Sequence, residues 1–108
     1  MPKAYVILTE AIEDEAGMAA YGRASAPALV ASGARVLAAD PDPQTLEGTW
    51  HGDRTVVLEF ESVKAARAWY ASPEYEKAKP LRLAAARTNA VILTGFELPH
   101  RSGSSRPA

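Results

Sequence analysis

One carboxylate stands inside an apolar run. In GTWHGDRTVVLEF, residues 48 to 60, Glu59 lies between Leu58 and Phe60. A carboxylate buried in a strand without a partner favours its neutral form, which is how such a group becomes a general acid or base. Held instead by an arginine, or by the N–H groups opening the next helix, it is a structural pair. Arg35, Arg67 and Arg82 are available partners, and both readings of Glu59 stand. His51 follows Trp50 in a turn with Gly48 and Gly52 on either side. Its imidazole suits proton transfer near neutral pH, although a histidine in a turn is ordinarily just solvated.

A second group is aromatic and basic. Trp69, Tyr70 and Tyr75 surround the break between two short helical stretches. Such rings anchor a core or an interface, or they line a ligand pocket between helices and sheet. In a pocket, Tyr21 and Tyr75 would supply hydroxyls. Arg82 follows Tyr75 by two helical turns on one face, unless Pro80 rotates it away. It is placed to hold a carboxylate ligand bidentately or to pair with Glu59 or Glu47.

Other chemistries lack their residues. The chain has no cysteine, so disulfides, thiolate nucleophiles and cysteine metal sites are excluded together. Its histidines, His51 and His100, are too far apart in sequence to suggest a metal site, and Glu13-Asp14-Glu15 has no calcium-loop pattern. No phosphate-binding loop, dinucleotide fingerprint or serine elbow is present. No cofactor is therefore expected; haem is a weak alternative, because neither histidine sits on a suitable helix. A net charge of −1 gives no basic footprint for nucleic acid. No apolar run reaches the ~18 residues that span a bilayer. The opening MPKAYVILTE lacks a charged-then-apolar leader, and the expected location is cytoplasmic.

The elements that must position these groups follow from period. Lys3 to Thr9 is apolar on both faces, as in a strand covered on both sides. Glu13 to Ala31 has helical spacing, acids in its first turn, Gly33 near its C-cap and a flaw at Pro27. Ala34 to Ala39 is a second strand, and Gln44 to Trp50 reads as an irregular edge segment. Arg54 to Glu61 is a third strand, with Val56, Leu58 and Phe60 on one face and Thr55, Val57 and Glu59 on the other. Ser62 caps a helix over Val63 to Tyr70. Ser72 caps another that begins at Pro73, bends near Pro80 and ends near Arg87. Asn89 to Glu97 is the last strand, and the Pro/Ser/Gly-rich residues 98 to 108 read as a disordered tail.

The order β-α-β-β-α-β, with its second helix split, is the ferredoxin-like α+β arrangement. It predicts one domain over residues 1 to 97: a four-stranded antiparallel sheet with helices on one face only, its first and third strands central. Strands apolar on both faces then leave a greasy patch on the bare side. If ~600 Å² lies there, about 15 kcal/mol of burial is withheld from each monomer, comparable with the stability of a whole domain. Two copies stacked sheet on sheet would recover it, so a homodimer is expected.

The chain resembles a known family through AYVILTEAIED, YGRASAPALVASGARVLAAD, LEGTWHGDRTVVLEFESVKAARAWYASPEYEKAKPLR and AVILTGFE. The most specific pieces are Leu46-Glu47-Gly48, Glu59-Phe60 and Ala68 to Tyr75. These are similar to the domain of unknown function family 1330, within the dimeric α/β-barrel superfamily, over about residues 3 to 97. The resemblance implies the same fold and a homodimeric barrel. It implies no single activity, because the superfamily includes cofactor-independent monooxygenases, small isomerases, haem proteins and stress-response proteins.

Together these readings predict a small homodimeric barrel that binds a small organic molecule between helices and sheet. The expected site is Tyr21, Trp69, Tyr75 and Arg82, with Glu59 and His51 as candidate catalytic groups for cofactor-free isomerisation or oxygenation. The rival is a non-catalytic dimeric or stress-associated module with a filled interior. A cavity of roughly 300 Å³ or more with convergent polar groups separates the two.

Overall fold

The computed structural model describes residues 2–97; the proposed tail, with His100, lies outside the described residues. Among those described, the chain forms β1 (Ala4–Ile12), α1 (Glu15–Ala31), β2 (Arg35–Asp40), β3 (Arg54–Phe60), α2 (Val63–Tyr70), α3 (Pro73–Ala85) and β4 (Ala86–Thr94). The sheet order is β2-β3-β1-β4, antiparallel at every pairing. The first and third strands are central, as the two-sided apolar pattern requires.

Local chemistry sets the helix starts. The side chains of Asp14, Ser62 and Ser72 accept from the N–H groups of Gly17, Ala65 and Tyr75. Each satisfies a donor that the first helical turn leaves unpaired. Pro73 occupies the first turn of α3, where its missing N–H costs nothing. Pro27 and Pro80 lie inside α1 and α3, and both helices continue through them.

Other boundaries differ from the sequence reading, and tertiary bonds are the reason. β1 continues past Thr9 to Ile12 because the β3 turn clamps it. The Asp53 N–H donates to the Glu10 carbonyl at 2.7 Å, and the Ile12 N–H donates to Asp53 Oδ2 at 2.9 Å. β4 pairs with β1 from Ala86 onward, so α3 stops at Ala85 rather than near Arg87. The Ala85 carbonyl accepts from the N–H groups of Glu13 and Asp14. Residues 44 to 50 form no strand.

Alternation divides the sheet. Ala4, Val6 and Leu8 of β1 and Leu58 and Phe60 of β3 are buried under the helices. Trp69 joins the layers, its ring centroid 5.3 Å from Phe60 and 4.4 Å from Tyr75. The opposite face carries Tyr5, Ile7 and Val57 in register with Leu93 and Val91. Val91 and Leu93 are 51% and 49% exposed.

The clamp gives a backbone test. Gly52 has φ +84°, and a Cβ there would meet the Glu10 carbonyl carbon and oxygen at 2.5 Å. Gly52→Ala should therefore cost about 2 kcal/mol or more in urea unfolding. Gly22→Ala, in α1 with nothing within 4 Å of its new Cβ, should be neutral or stabilise by up to ~1 kcal/mol.

Candidate functional site

The alternation that buries Ala4, Val6 and Leu8 also buries Glu10, which is 1% exposed. Arg54 stands opposite it in the β1–β3 register, and its Nε donates to Glu10 Oε1 at 2.8 Å. Among the described residues no group bonds Oε2. An unpaired carboxylate at this depth would be strongly unfavourable, and the facing guanidinium is what lets it remain there.

The helices supply the second half. Tyr21 of α1 and Tyr75 of α3 bring their hydroxyls to 2.7 Å, with the rings edge-on at 79°. Burial, then the bond to Tyr75, pushes the Tyr21 hydroxyl far above its ordinary pKa. Arg82 donates from Nε to the Tyr75 hydroxyl at 3.4 Å, a long bond. Its guanidinium carbon lies 5.9 Å from the centre of the Tyr21 ring.

Arg82 is only 3% exposed, yet among the described residues it has no carboxylate partner. Its place in the last turn of α3 contributes about 0.3–1 kcal/mol through the helix dipole. The Tyr21 ring adds about as much. Both are small beside the several kcal/mol of desolvating a charge; burial opposes the cation, but the bond to Tyr75 and the surrounding tyrosines outweigh it and hold the Arg82 pKa above its ordinary value.

Between α1 and the sheet lies a cavity of about 240 Å³, whose lining includes Glu10, Tyr21, Ser25, Arg54, Leu58 and Trp69. It is smaller than the roughly 300 Å³ at which drug-sized pockets begin. A void of about 150 Å³ accepts benzene, so this one suits a ring with one or two substituents. A second cavity of about 240 Å³, lined by Val6, Leu8, Trp69, Ile92 and others, has Arg67 as its charged group. On the helix side Trp69 Nε1 and Thr88 Oγ1 are buried with no hydrogen-bond partner among the described residues.

The structure brings Tyr21, Trp69, Tyr75 and Arg82 together. Neither Glu59 nor Glu47 pairs with Arg82. Glu59 does not join the group either. It pairs with Tyr5 and Arg35 in register, on the face opposite Leu58 and Phe60, because neighbouring residues of a strand point to opposite sides. There Tyr5 Oη donates to Oε2 at 3.1 Å and Arg35 to Oε1 at 3.3 Å. Of its three possible arginine partners, Glu59 takes Arg35. His51 stays in the turn before β3, its Nε2 3.0 Å from the Arg87 carbonyl oxygen, where it latches the turn to β4. The carboxylate that does enter the helix side, Glu10, escapes a reading that ends the first strand at Thr9. Its signal was the period Ala4, Val6, Leu8 carried one step further. Among the described residues no cluster of three metal-ligating side chains occurs, and no helix is long and apolar enough to cross a membrane.

Fold and site together define a two-layer ferredoxin-like protein with a polar cluster between its helices and its sheet. The model of the family "Domain of unknown function (DUF1330)" matches residues 3–96, and the chain belongs to that family. No curated protein matches it. Among solved structures it is similar to RPA0582 of Rhodopseudomonas palustris, a protein of unknown function. That match has a TM-score of 0.76 and 22% identity, covering 90% of this chain and 85% of the other. A dimeric ferredoxin-like protein of unknown function from Jannaschia sp. CCS1 matches with TM-score 0.62 and 15% identity, covering 84% and 97%. A Nitrosomonas europaea protein provisionally described as an antibiotic biosynthesis monooxygenase matches with TM-score 0.55 and 16% identity, covering 89% and 93%. At these identities the likeness is one of fold.

The two carboxylates should respond differently to neutralisation. Glu10→Gln should cost about 2 kcal/mol in urea unfolding, the loss of a buried pair moderated because Arg54 reaches solvent. Glu59→Gln should cost under ~1 kcal/mol. Alkaline titration followed by tyrosinate absorbance gives a second check. The folded pKa of Tyr21 is raised above its ordinary 10.0, so its contribution to stability is intact below that pH and is lost as pH climbs towards the folded value. Tyr21 should ionise only as the protein unfolds, and Tyr21→Phe should remove that late-ionising tyrosine.

Proposed function

We propose that this protein is a homodimer, each copy of which binds a small, partly apolar organic molecule in the cavity between α1 and the sheet. The observation that carries the reading is the convergence of Glu10, Tyr21 and Arg54 on one ring-sized, half-open cleft beside Trp69. Apolar clefts with a few convergent polar groups are where small ligands bind. Any turnover is cofactor-free acid–base chemistry, of the isomerising or monooxygenase-like kind for which the Nitrosomonas europaea neighbour is a fold-level analogy. Glu10 takes the role of base, with its Oε2 unengaged and its Oε1 held by Arg54. Glu59 and His51, held by Arg35 and by the Arg87 carbonyl, take structural roles. The proposed setting is the cytoplasm, which a chain free of cysteine tolerates.

The dimer rests on the bare face of the sheet. Val91 and Leu93 are each about half exposed, and burying each fully gains about 1 kcal/mol. Tyr5, Ile7 and Val57 extend the patch across the centre of the sheet. The Jannaschia protein, described as dimeric, supports the same assembly. A second reading, a dimeric module without turnover, draws on the engagement of Glu59 by Arg35 and Tyr5.

Sedimentation at micromolar concentration should give twice the chain mass of 11.5 kDa, and Val91→Asp should return the single chain. A stable wild-type monomer would remove the dimer. A thermal-shift screen of small aromatic and carbonyl metabolites should find stabilisers whose effect Glu10→Gln or Tyr21→Phe weakens. A screen without stabilisers leaves the module reading in place.

A further inference from the structure

In the cleft between α1 and the sheet the charges balance and the hydrogen bonds do not. Glu10 and Arg54 both line it and neutralise each other through the 2.8 Å bond from Arg54 Nε to Glu10 Oε1. The Glu10 side chain is 2% exposed and that of Arg54 32%. Arg54 can therefore turn its other N–H groups to water, whereas Glu10 Oε2 depends on what enters the cleft. Among the described residues no donor reaches that oxygen. Thr88 stands opposite Glu10 in the β1–β4 register, yet its buried hydroxyl has no partner there and does not serve Oε2. Tyr21 offers no proton either. Burial and then its bond to Tyr75 raise the Tyr21 pKa, as expected of a hydroxyl that donates to Tyr75 at 2.7 Å, while Tyr75 also accepts from Arg82. The Tyr21 oxygen is left with lone pairs. Ser25 turns its hydroxyl back to the Gly22 carbonyl. The cleft thus presents acceptors, and native interiors pair such atoms.

We propose that the ligand of this cleft is a neutral, ring-sized compound bearing a hydroxyl, which donates its hydrogen bond to Glu10 Oε2. The proposal rests on the reading of the cleft as a ligand site and adds the polarity of the ligand. Neutrality follows from the Glu10–Arg54 pair. An anion would set its charge against Oε2 with Arg54 already engaged, and a cation would leave an unbalanced charge in a partly desolvated layer. The donor follows from Oε2 itself. A hydrogen bond to an ionised acceptor is about twice as strong as a neutral one. A ligand with acceptors alone would cover the carboxylate oxygen without pairing it, which is costly. Ring size follows from the volume of about 240 Å³ and from its apolar walls, Leu29, Val56, Leu58 and Trp69.

The test uses the full chain with two neutral probes built on one ring. Phenol carries a donor, and benzonitrile carries an acceptor alone. Both are used at up to about 10 mM, enough to saturate a millimolar site, and at about pH 7, where a phenolic hydroxyl keeps its proton. Affinity is read by calorimetry. Phenol should bind at least about tenfold more tightly than benzonitrile. Glu10→Gln should erase or reverse that preference, because the amide oxygen keeps the bond to Arg54 and an NH₂ group takes the place of Oε2. Should Glu10→Gln fail to fold, the Glu10 carboxyl carbon of the wild-type chain, followed by carbon-13 nuclear magnetic resonance, carries the same test: phenol should move its resonance and benzonitrile should not. Equal binding of the two probes, a preference for benzonitrile, a preference for phenol that survives in the folded variant, or a carboxyl resonance that phenol leaves in place overturns the donor inference alone. Binding of neither probe overturns the pocket reading and this inference with it.

Discussion

A layer of helices covers one face of a sheet, and a strand has only two sides on which to place a residue. These two facts govern the whole molecule. On β1 and β3 the residues in phase with Leu8 and Leu58 lie under the helices, and those out of phase lie on the bare side. A shift of one residue would exchange the two sets. The core, the polar cluster and the open apolar face are thus consequences of one register.

That register explains how a carboxylate comes to be buried. Glu10 is carried inward by the same phase that buries Val6 and Leu8, and Arg54 follows because it is paired opposite. The turn before β3 then locks the arrangement, with Asp53 bonding the β1 backbone on both its N–H and its carboxylate. Gly52 is the residue whose missing side chain allows that approach. Around this rigid edge, α1 and α3 supply Tyr21, Tyr75 and Arg82 from positions fixed by their own caps. The site is therefore assembled from the two layers, and its cavity is the space between them.

The bare face carries a different kind of incompleteness. Glu59, Tyr5 and Arg35 form a polar margin beside an apolar centre of Ile7, Val57, Val91 and Leu93. Surfaces of that composition, greasy in the middle and charged at the rim, are those that self-association uses. On the bare face the unmet demand is for another apolar surface.

Much of the architecture was legible in the residues themselves. The strand and helix order, the caps at Ser62 and Ser72, and the placing of Tyr75 and Arg82 two turns apart on one helix follow from period, spacing and capping chemistry, which act between residues close in sequence. The face of Glu59, the inward turn of Glu10 and the isolation of Arg82 were not legible. Each depends on where a strand ends or which strand lies beside it. The Gly52–Asp53 clamp, the Ala85 carbonyl and the pairing of β4 from Ala86 decide those points. Local preference sets which segments become strands and helices; hydrogen bonds between distant segments decide phase and partners, and phase decides which carboxylate is buried.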